Sequence, residues 1–192
     1  MHGLLLAAFP PELADCSRAP LQDWDMVCTG VGAVAAAAAT ARLLAESRPE
    51  RVLFLGSCGA YDDRLELGDF LAASRVIAIS LDELEGRAYR PATEIVRWEA
   101  GWSLPFPGHA VAVPSAITQT VEGARKLSAL AVAEHLELSG VFAACLAANI
   151  PAAAALVVAN RVGPTAHAEW KANHAEGSRR LVQALRNRGV LS

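Results

Sequence analysis

The chain has 192 residues, 53% hydrophobic and 19% charged, long enough to bury a sizeable core and too apolar to stay disordered. A net charge of -3 offers no general attraction for a nucleic acid backbone. No apolar run reaches the roughly 18 residues of a membrane span. The four cysteines, Cys16, Cys28, Cys58 and Cys145, form neither a CxxC pair nor a Cys/His cluster, which reads as reduced thiols of a cytoplasmic protein without a metal site.

Taken in order, short apolar runs alternate with helical stretches. Residues 3–8 read as a first buried strand, because the run to Phe9 lacks a basic leader and meets Pro10-Pro11, unlike a signal peptide. A second strand is expected at 25–28, a helix from about 33 to 46 and a third strand at 51–55. Residues 68–80 look like a long strand or strand pair, and 81–107, with prolines, glycines, Trp98 and Trp102, like an irregular insertion. There follow a strand at 109–113, a helix near 122–128, a strand at 130–135, a helix at 137–148, a strand at 154–160 and a terminal helix at 169–188. Arg179, Arg180, Arg186 and Arg188 read as the solvated face of that last helix. The pattern predicts an α/β fold: a single domain, 1–192, with a central mostly parallel or mixed twisted sheet, helices on both faces and an insertion at about 81–108.

Three places carry polar groups toward one edge of such a sheet. Glu137, after Leu136, and Asn160, 23 positions later, fit a carboxylate and an amide at neighbouring carboxyl ends, where open α/β sheets bind ligands. Thr29-Gly30-Val31-Gly32-Ala33 superficially matches a dinucleotide fingerprint, but the acid expected at the end of the next strand is missing. Its glycines allow a tight turn, or backbone amides facing a ligand at a helix start. Gly56-Ser57-Cys58-Gly59-Ala60 reads as a further turn, either merely tight or a concavity of amides for a hydroxyl or phosphate.

These segments, with Gly68-Asp69 and Asn160-Arg161-Val162-Gly163 followed by Trp170-Lys171, resemble the nucleoside phosphorylase and nucleosidase superfamily, and futalosine hydrolases most. The resemblance implies hydrolysis of the N-glycosidic bond of a 6-oxopurine nucleoside, futalosine giving hypoxanthine and dehypoxanthinyl futalosine in menaquinone biosynthesis. It implies no metal or organic cofactor. Methylthioadenosine/S-adenosylhomocysteine nucleosidase, purine nucleoside phosphorylase and a non-catalytic nucleoside-binding relative are the alternatives.

By the same resemblance Glu12 activates water, Glu137 accepts hydrogen bonds from the ribose hydroxyls, and Leu136, where the family has Met, keeps an apolar wall under the sugar. Asn160 replaces an aspartate of adenine-cleaving members. Its amide can donate to O6 and accept from a protonated N7. Ser57 and Gly59 orient base and sugar, and Thr118 lies in the region of the base-stacking loop, with Trp98 or Trp102 covering the purine. Phe54 stands where bacterial phosphorylases carry a phosphate-binding arginine, with Arg87 or Arg90 as possible substitutes from the insertion. His135 reads as a structural hydrogen-bonder, and His167 and His174 as surface residues. Thr165-Ala166-His167 replaces a basic residue of futalosine hydrolases, which bears on recognition of a substrate carboxylate. A homodimer or larger homo-oligomer is expected, with Trp98, Trp102 and Phe106 as candidate interface aromatics.

Overall fold

The computed structural model describes residues 2–16 and 21–191. Its centre is a sheet built from β1 (Gly3–Ala7), β2 (Trp24–Cys28), β3 (Arg51–Ala60), β4 (Phe70–Ala78), β5 (Arg97–Glu99), β6 (Gly108–Val113), β7 (Ala133–Glu134) and β8 (Ala152–Arg161). Around it lie α1 (Ala33–Ser47), α2 (Leu81–Leu84), α3 (Val121–Leu127), α4 (Leu138–Ala147) and α5 (Ala166–Asn187). None of the described helices is long and apolar enough to cross a membrane.

The unbroken apolar runs are strands buried on both faces, since successive side chains of a strand point opposite ways. Leu4, Leu6, Val52, Phe54 and Leu156 join Leu44 of α1 and Leu138, Val141 and Phe142 of α4 in one core layer. Their sequence neighbours Leu5, Leu53, Leu55, Ala155 and Val157 pack with Leu181, Val182 and Leu185 of α5 on the other side. Helix α5 therefore needs only one apolar stripe.

β3 organises the sheet. It lies parallel to β1 and β8, and its end turns antiparallel against β7. β8 also pairs with β4, β4 with β6 and β6 with β7, so β3, β8, β4, β6 and β7 close a circuit. Five of the pairings among described residues are parallel and three antiparallel.

This closure corrects several sequence expectations. Residues 56–60 are no turn: they prolong β3, because β8 on one side and β7 on the other satisfy the backbone groups that a turn would expose. The strand expected at 130–135 contracts to β7. The strands that precede Glu137 and contain Asn160 are not neighbours, for β3 runs between them and Gly59 pairs with both Glu134 and Asn160. The stretch expected to be irregular contains α2, started by a Ser80/Glu83 capping box, and β5, which pairs with β4.

The insertion's aromatics serve the interior. Trp98 packs on one core layer, while Trp102 packs on the other with the buried Phe106. Arg180 of α5 and Arg188, the residue that ends it, lie over the rings of Phe70 and Phe106, so part of the basic face covers aromatic surface instead of facing water alone. Helices α1 and α4 meet with almost no gap: a Cβ at Gly140 would sit 2.0 Å from the Ala33 carbonyl oxygen. That close approach explains the small residues of both helices and brings the start of α4 beside the Gly30–Gly32 segment.

Candidate active site

A cavity of about 770 Å³ opens at the carboxyl ends of β1, β3, β7 and β8. Glu12, Ser57, Gly59, Leu136, Glu137 and Asn160 all line it. The chain leaves β1 through Ala8 and Phe9 into a single 3-10 turn at Pro10–Glu12, where proline presets the backbone angle and gives up a donor the turn does not use. This turn points Glu12 inward, and its side chain is buried.

The Glu12 carboxylate is tied down at both oxygens. Oε1 accepts from the Ser57 backbone N–H at 3.0 Å and from the Ser57 hydroxyl at 3.1 Å. Oε2 accepts from the Ala8 N–H at 3.1 Å. Burial pushes the carboxyl up from its ordinary 4.5 to about 7; the Ser57 and Ala8 hydrogen bonds pull it down and nearby Glu137 raises it. A carboxylate poised near neutrality suits a general base.

Glu137, at the start of α4, is also buried. Its Oε1 accepts from the Gly32 N–H at 2.7 Å. The glycine segment thus serves the protein: Gly30 and Gly32 adopt φ of 87° and 91°, turning the chain so that an amide grips Glu137. Oε2 lies 3.2 Å from Nδ1 of His135, which itself accepts from the Glu137 N–H at 3.2 Å. The His135 imidazole is buried edge-on against Phe54, and burial lowers its pKa, favouring the neutral ring.

Asn160 donates from Nδ2 to the Arg161 carbonyl at 3.0 Å. Gly59 faces it across the pairing, and a Cβ there would come within 2.8 Å of both Asn160 Nδ2 and Val162. The register between β3 and β8 shifts between Cys58 and Gly59, a bulge that re-aims the strand end. Gly59 is needed for this close approach and not for a turn.

Other expected residues fall elsewhere. Thr118 is buried but does not line the cavity; its neighbours Ile117 and Gln119 do. The reason is Glu134, a lining carboxylate that sequence reading passed over, whose Oε1 accepts from the Thr118 N–H at 3.1 Å and whose Oε2 accepts from the Tyr61 hydroxyl at 3.1 Å. Burial raises its pKa. An acid closing the apolar run Ala131-Val132-Ala133 was its visible signal. Trp98 and Trp102 do not reach the cavity. Nor do Arg87 and Arg90: Arg87 pairs with Asp82 and Glu85, and Arg90 with Glu83 and Glu94.

The last helix supplies what the sequence reading placed on the surface. His167 is exposed, yet it lines the cavity together with Trp170. His174 is half-buried and stacks on Trp170 with ring centroids 4.1 Å apart. No Lys or Arg is among the described residues lining the cavity, and no described group of three or more His, Cys, Asp and Glu is placed to hold a metal ion.

Comparison with known proteins agrees with this architecture. The family model described as "Phosphorylase superfamily" matches residues 26–134, more than half of the chain. Futalosine hydrolase of Streptomyces coelicolor is 28% identical over 195 aligned residues, covering 88% of this chain and 83% of that protein. Two Helicobacter pylori structures share the fold. The methylthioadenosine/S-adenosylhomocysteine nucleosidase bound to butyl-thio-DADMe-Immucillin-A superimposes with a TM-score of 0.84 at 14% identity, covering 98% of this chain and 99% of that one. A futalosine hydrolase mutant gives 0.82 at 15% identity, covering 98% and 100%.

The raised Glu12 carboxyl has a consequence for stability. Between pH 4.5 and 7 the folded protein keeps a proton on Glu12 that the unfolded chain has released, so this group's contribution is present below pH 4.5 and lost as pH rises through 7. Glu12→Gln removes the dependence, while Glu134 titrates in both proteins and cancels in the comparison. The variant should gain on the order of 3 kcal/mol relative to the parent between pH 4.5 and 8, read from urea midpoints. A parallel pH dependence of the two proteins would show that Glu12 is not shifted.

Proposed function

Because the chain belongs to the phosphorylase superfamily, we propose that it is an N-glycosyl hydrolase cleaving a 6-oxopurine nucleoside of the futalosine type. The observation that carries this reading is the buried Glu12 carboxylate, fixed by three donors in a cavity with no Lys or Arg among the described residues lining it. The similarity to a futalosine hydrolase over 88% of the chain supports it. The products would be hypoxanthine and the free sugar, a step of menaquinone biosynthesis. Four free cysteines fit work in the cytoplasm.

In this reading Glu12 takes a proton from water as the water oxygen closes on C1′. The C1′–N9 bond breaks with its electron pair moving to the purine, which carries a proton from solvent on N7. Glu137 accepts from the ribose hydroxyls, and Leu136 walls the sugar. Asn160 donates to O6 and accepts from the N7 proton. Ser57 acts through Glu12, whereas Gly59 leaves room for the purine edge. Phosphate is disfavoured as nucleophile, because an anion entering beside buried carboxylates gains no charge-assisted partner. Phe54, fully buried under His135, offers none.

A second reading, a methylthioadenosine-type nucleosidase, draws on the structural neighbour of that name, and the base-facing amide separates the two. We also propose a homodimer. Val31 and Ile117 line the cavity and are 65% and 56% exposed, and Val34 and Val121 beside them are 86% and 70% exposed. Such an apolar rim fits a second copy of the chain. Sedimentation at micromolar concentration should show a dimer, and a strict monomer would contradict it.

The reaction itself is tested by product analysis with inosine, futalosine and methylthioadenosine, with and without phosphate. The expected outcome is purine release independent of phosphate with a free sugar as coproduct. A sugar 1-phosphate would make the protein a phosphorylase, and no release from any of the three would favour a binding protein.

Base choice is tested by Asn160→Asp. An ionised carboxylate faces the O6 lone pairs, while it can accept from a 6-amino group and, when protonated, donate to N7. The kcat/KM ratio for a hypoxanthine nucleoside over its adenine counterpart should fall about tenfold, roughly 1.4 kcal/mol, within reach of one buried mismatch. An unchanged ratio would mean that Asn160 does not read the base, and a parent preference for adenine would move the assignment to the second reading.

A further inference from the structure

We propose that Trp170 is a positioning residue that holds Glu12 in its ionised, proton-accepting form through the hydroxyl of Ser57. The Trp170 indole Nε1 lies 3.0 Å from Ser57 Oγ, which lies 3.1 Å from Glu12 Oε1. An indole N–H can only donate, so the Ser57 oxygen accepts from Trp170. That hydroxyl has one proton, and the acceptor within reach is Glu12 Oε1. The chain therefore has one direction: Trp170 to Ser57 to Glu12.

Direction fixes protonation state. An ionised Glu12 takes the Ser57 proton and the chain is complete. A Glu12 protonated on Oε1 would set two protons between the same pair of oxygens, and Ser57 would have to turn its own away. Polarisation by the indole also makes Ser57 the stronger donor. Both effects oppose the burial that drives Glu12 toward its neutral form.

The column behind the indole keeps it in place. On α5, His167, Trp170 and His174 lie at positions i, i+3 and i+7, one helix face. His174 stacks at 4.1 Å and 10° on Trp170, and His167 at 6.0 Å and 12°. Phe9, three residues before Glu12, lies 5.8 Å from the indole. Other groups facing Glu12 do not substitute for Trp170. Glu137 raises its pKa, the Cys28 thiol at the end of β2 is itself pushed up by burial and then by Glu12, and the Ala8 N–H serves the other carboxylate oxygen. Burial lowers the pKa of His174, so near pH 7 that ring is a neutral platform.

This inference rests on the proposed role of Glu12 as water activator, and its test separates the two. Trp170→Phe keeps an aromatic ring and removes the N–H; benzothienylalanine at 170 replaces the N–H by sulfur with nearly unchanged shape. The pH dependence of kcat/KM for inosine or futalosine is one readout. The carbon-13 carboxyl resonance of Glu12, assigned by its loss in Glu12→Gln, is the other and needs no turnover.

In both variants at 170 the Glu12 titration and the acid limb of activity should move up by about one pH unit, with the plateau rate at high pH within a few-fold of the parent. Ser57→Ala should move the titration in the same direction, and Trp170→Phe added to it should move it no further. An unmoved Glu12 resonance in the benzothienylalanine protein overturns the proposal. So does a full additional shift in the double variant. If no nucleoside is cleaved by the parent, the proposed function fails while the resonance still decides the role of Trp170.

Discussion

The constraint on which the site depends is a buried carboxylate with no Lys or Arg among the described residues of its cavity. Three hydrogen bonds to Glu12, from Ala8, the Ser57 backbone and the Ser57 hydroxyl, oppose the burial that favours its neutral form, and these donors come from separate parts of the chain. β1 must end one residue before Ala8, β3 must carry Ser57 past the end of β1, and α5 must bring Trp170 down on Ser57. Glu137 obeys the same rule with an amide from the Gly32 turn. Backbone donors cost no extra side chain and hold their direction, so the carboxylates are preorganised before any ligand enters.

The sheet's closure makes this convergence possible. An open sheet would end β3 near Leu55. Here β7 and β8 flank its last residues, so the strand continues into the cavity wall and its residues replace a loop. The cost is steric, borne by glycines: at Gly59 the amide of Asn160 occupies the space of a side chain, and at Gly140 the Ala33 carbonyl does.

Alternating apolar runs made the two-faced sheet legible, and the expected bounds of α1, α4 and β6 lie within a residue of those observed. Glu137 and Asn160 were legible through their spacing and Glu12 through the family resemblance, and the structure brings all three to one cavity. What stayed hidden depends on pairing across the sheet. Nothing local to Gly56-Ser57-Cys58-Gly59-Ala60 distinguishes a turn from a strand whose partners lie 75 and 100 residues away. Glu134 was passed over because its partners Tyr61 and Thr118 are remote in sequence. The ring of His174 looked solvated for the same reason: helical spacing aligns it with Trp170, but only packing against Phe9 shows that it turns inward.

The charges that remain in the cavity argue for the kind of chemistry it favours. A positive charge developing about 4 Å from one carboxylate gains roughly 4 kcal/mol at an effective dielectric of about 20, and an anion at that distance loses as much. Glu12, Glu134 and Glu137 all line the cavity, with no lining Lys or Arg among the described residues to offset them. A sugar passing through an oxocarbenium-like state would be stabilised by such carboxylates, whereas a phosphate dianion would be repelled by them. The neutral amide of Asn160 belongs to the same logic: it offers the base a donor and an acceptor without adding a further buried charge to the carboxylates that line the cavity.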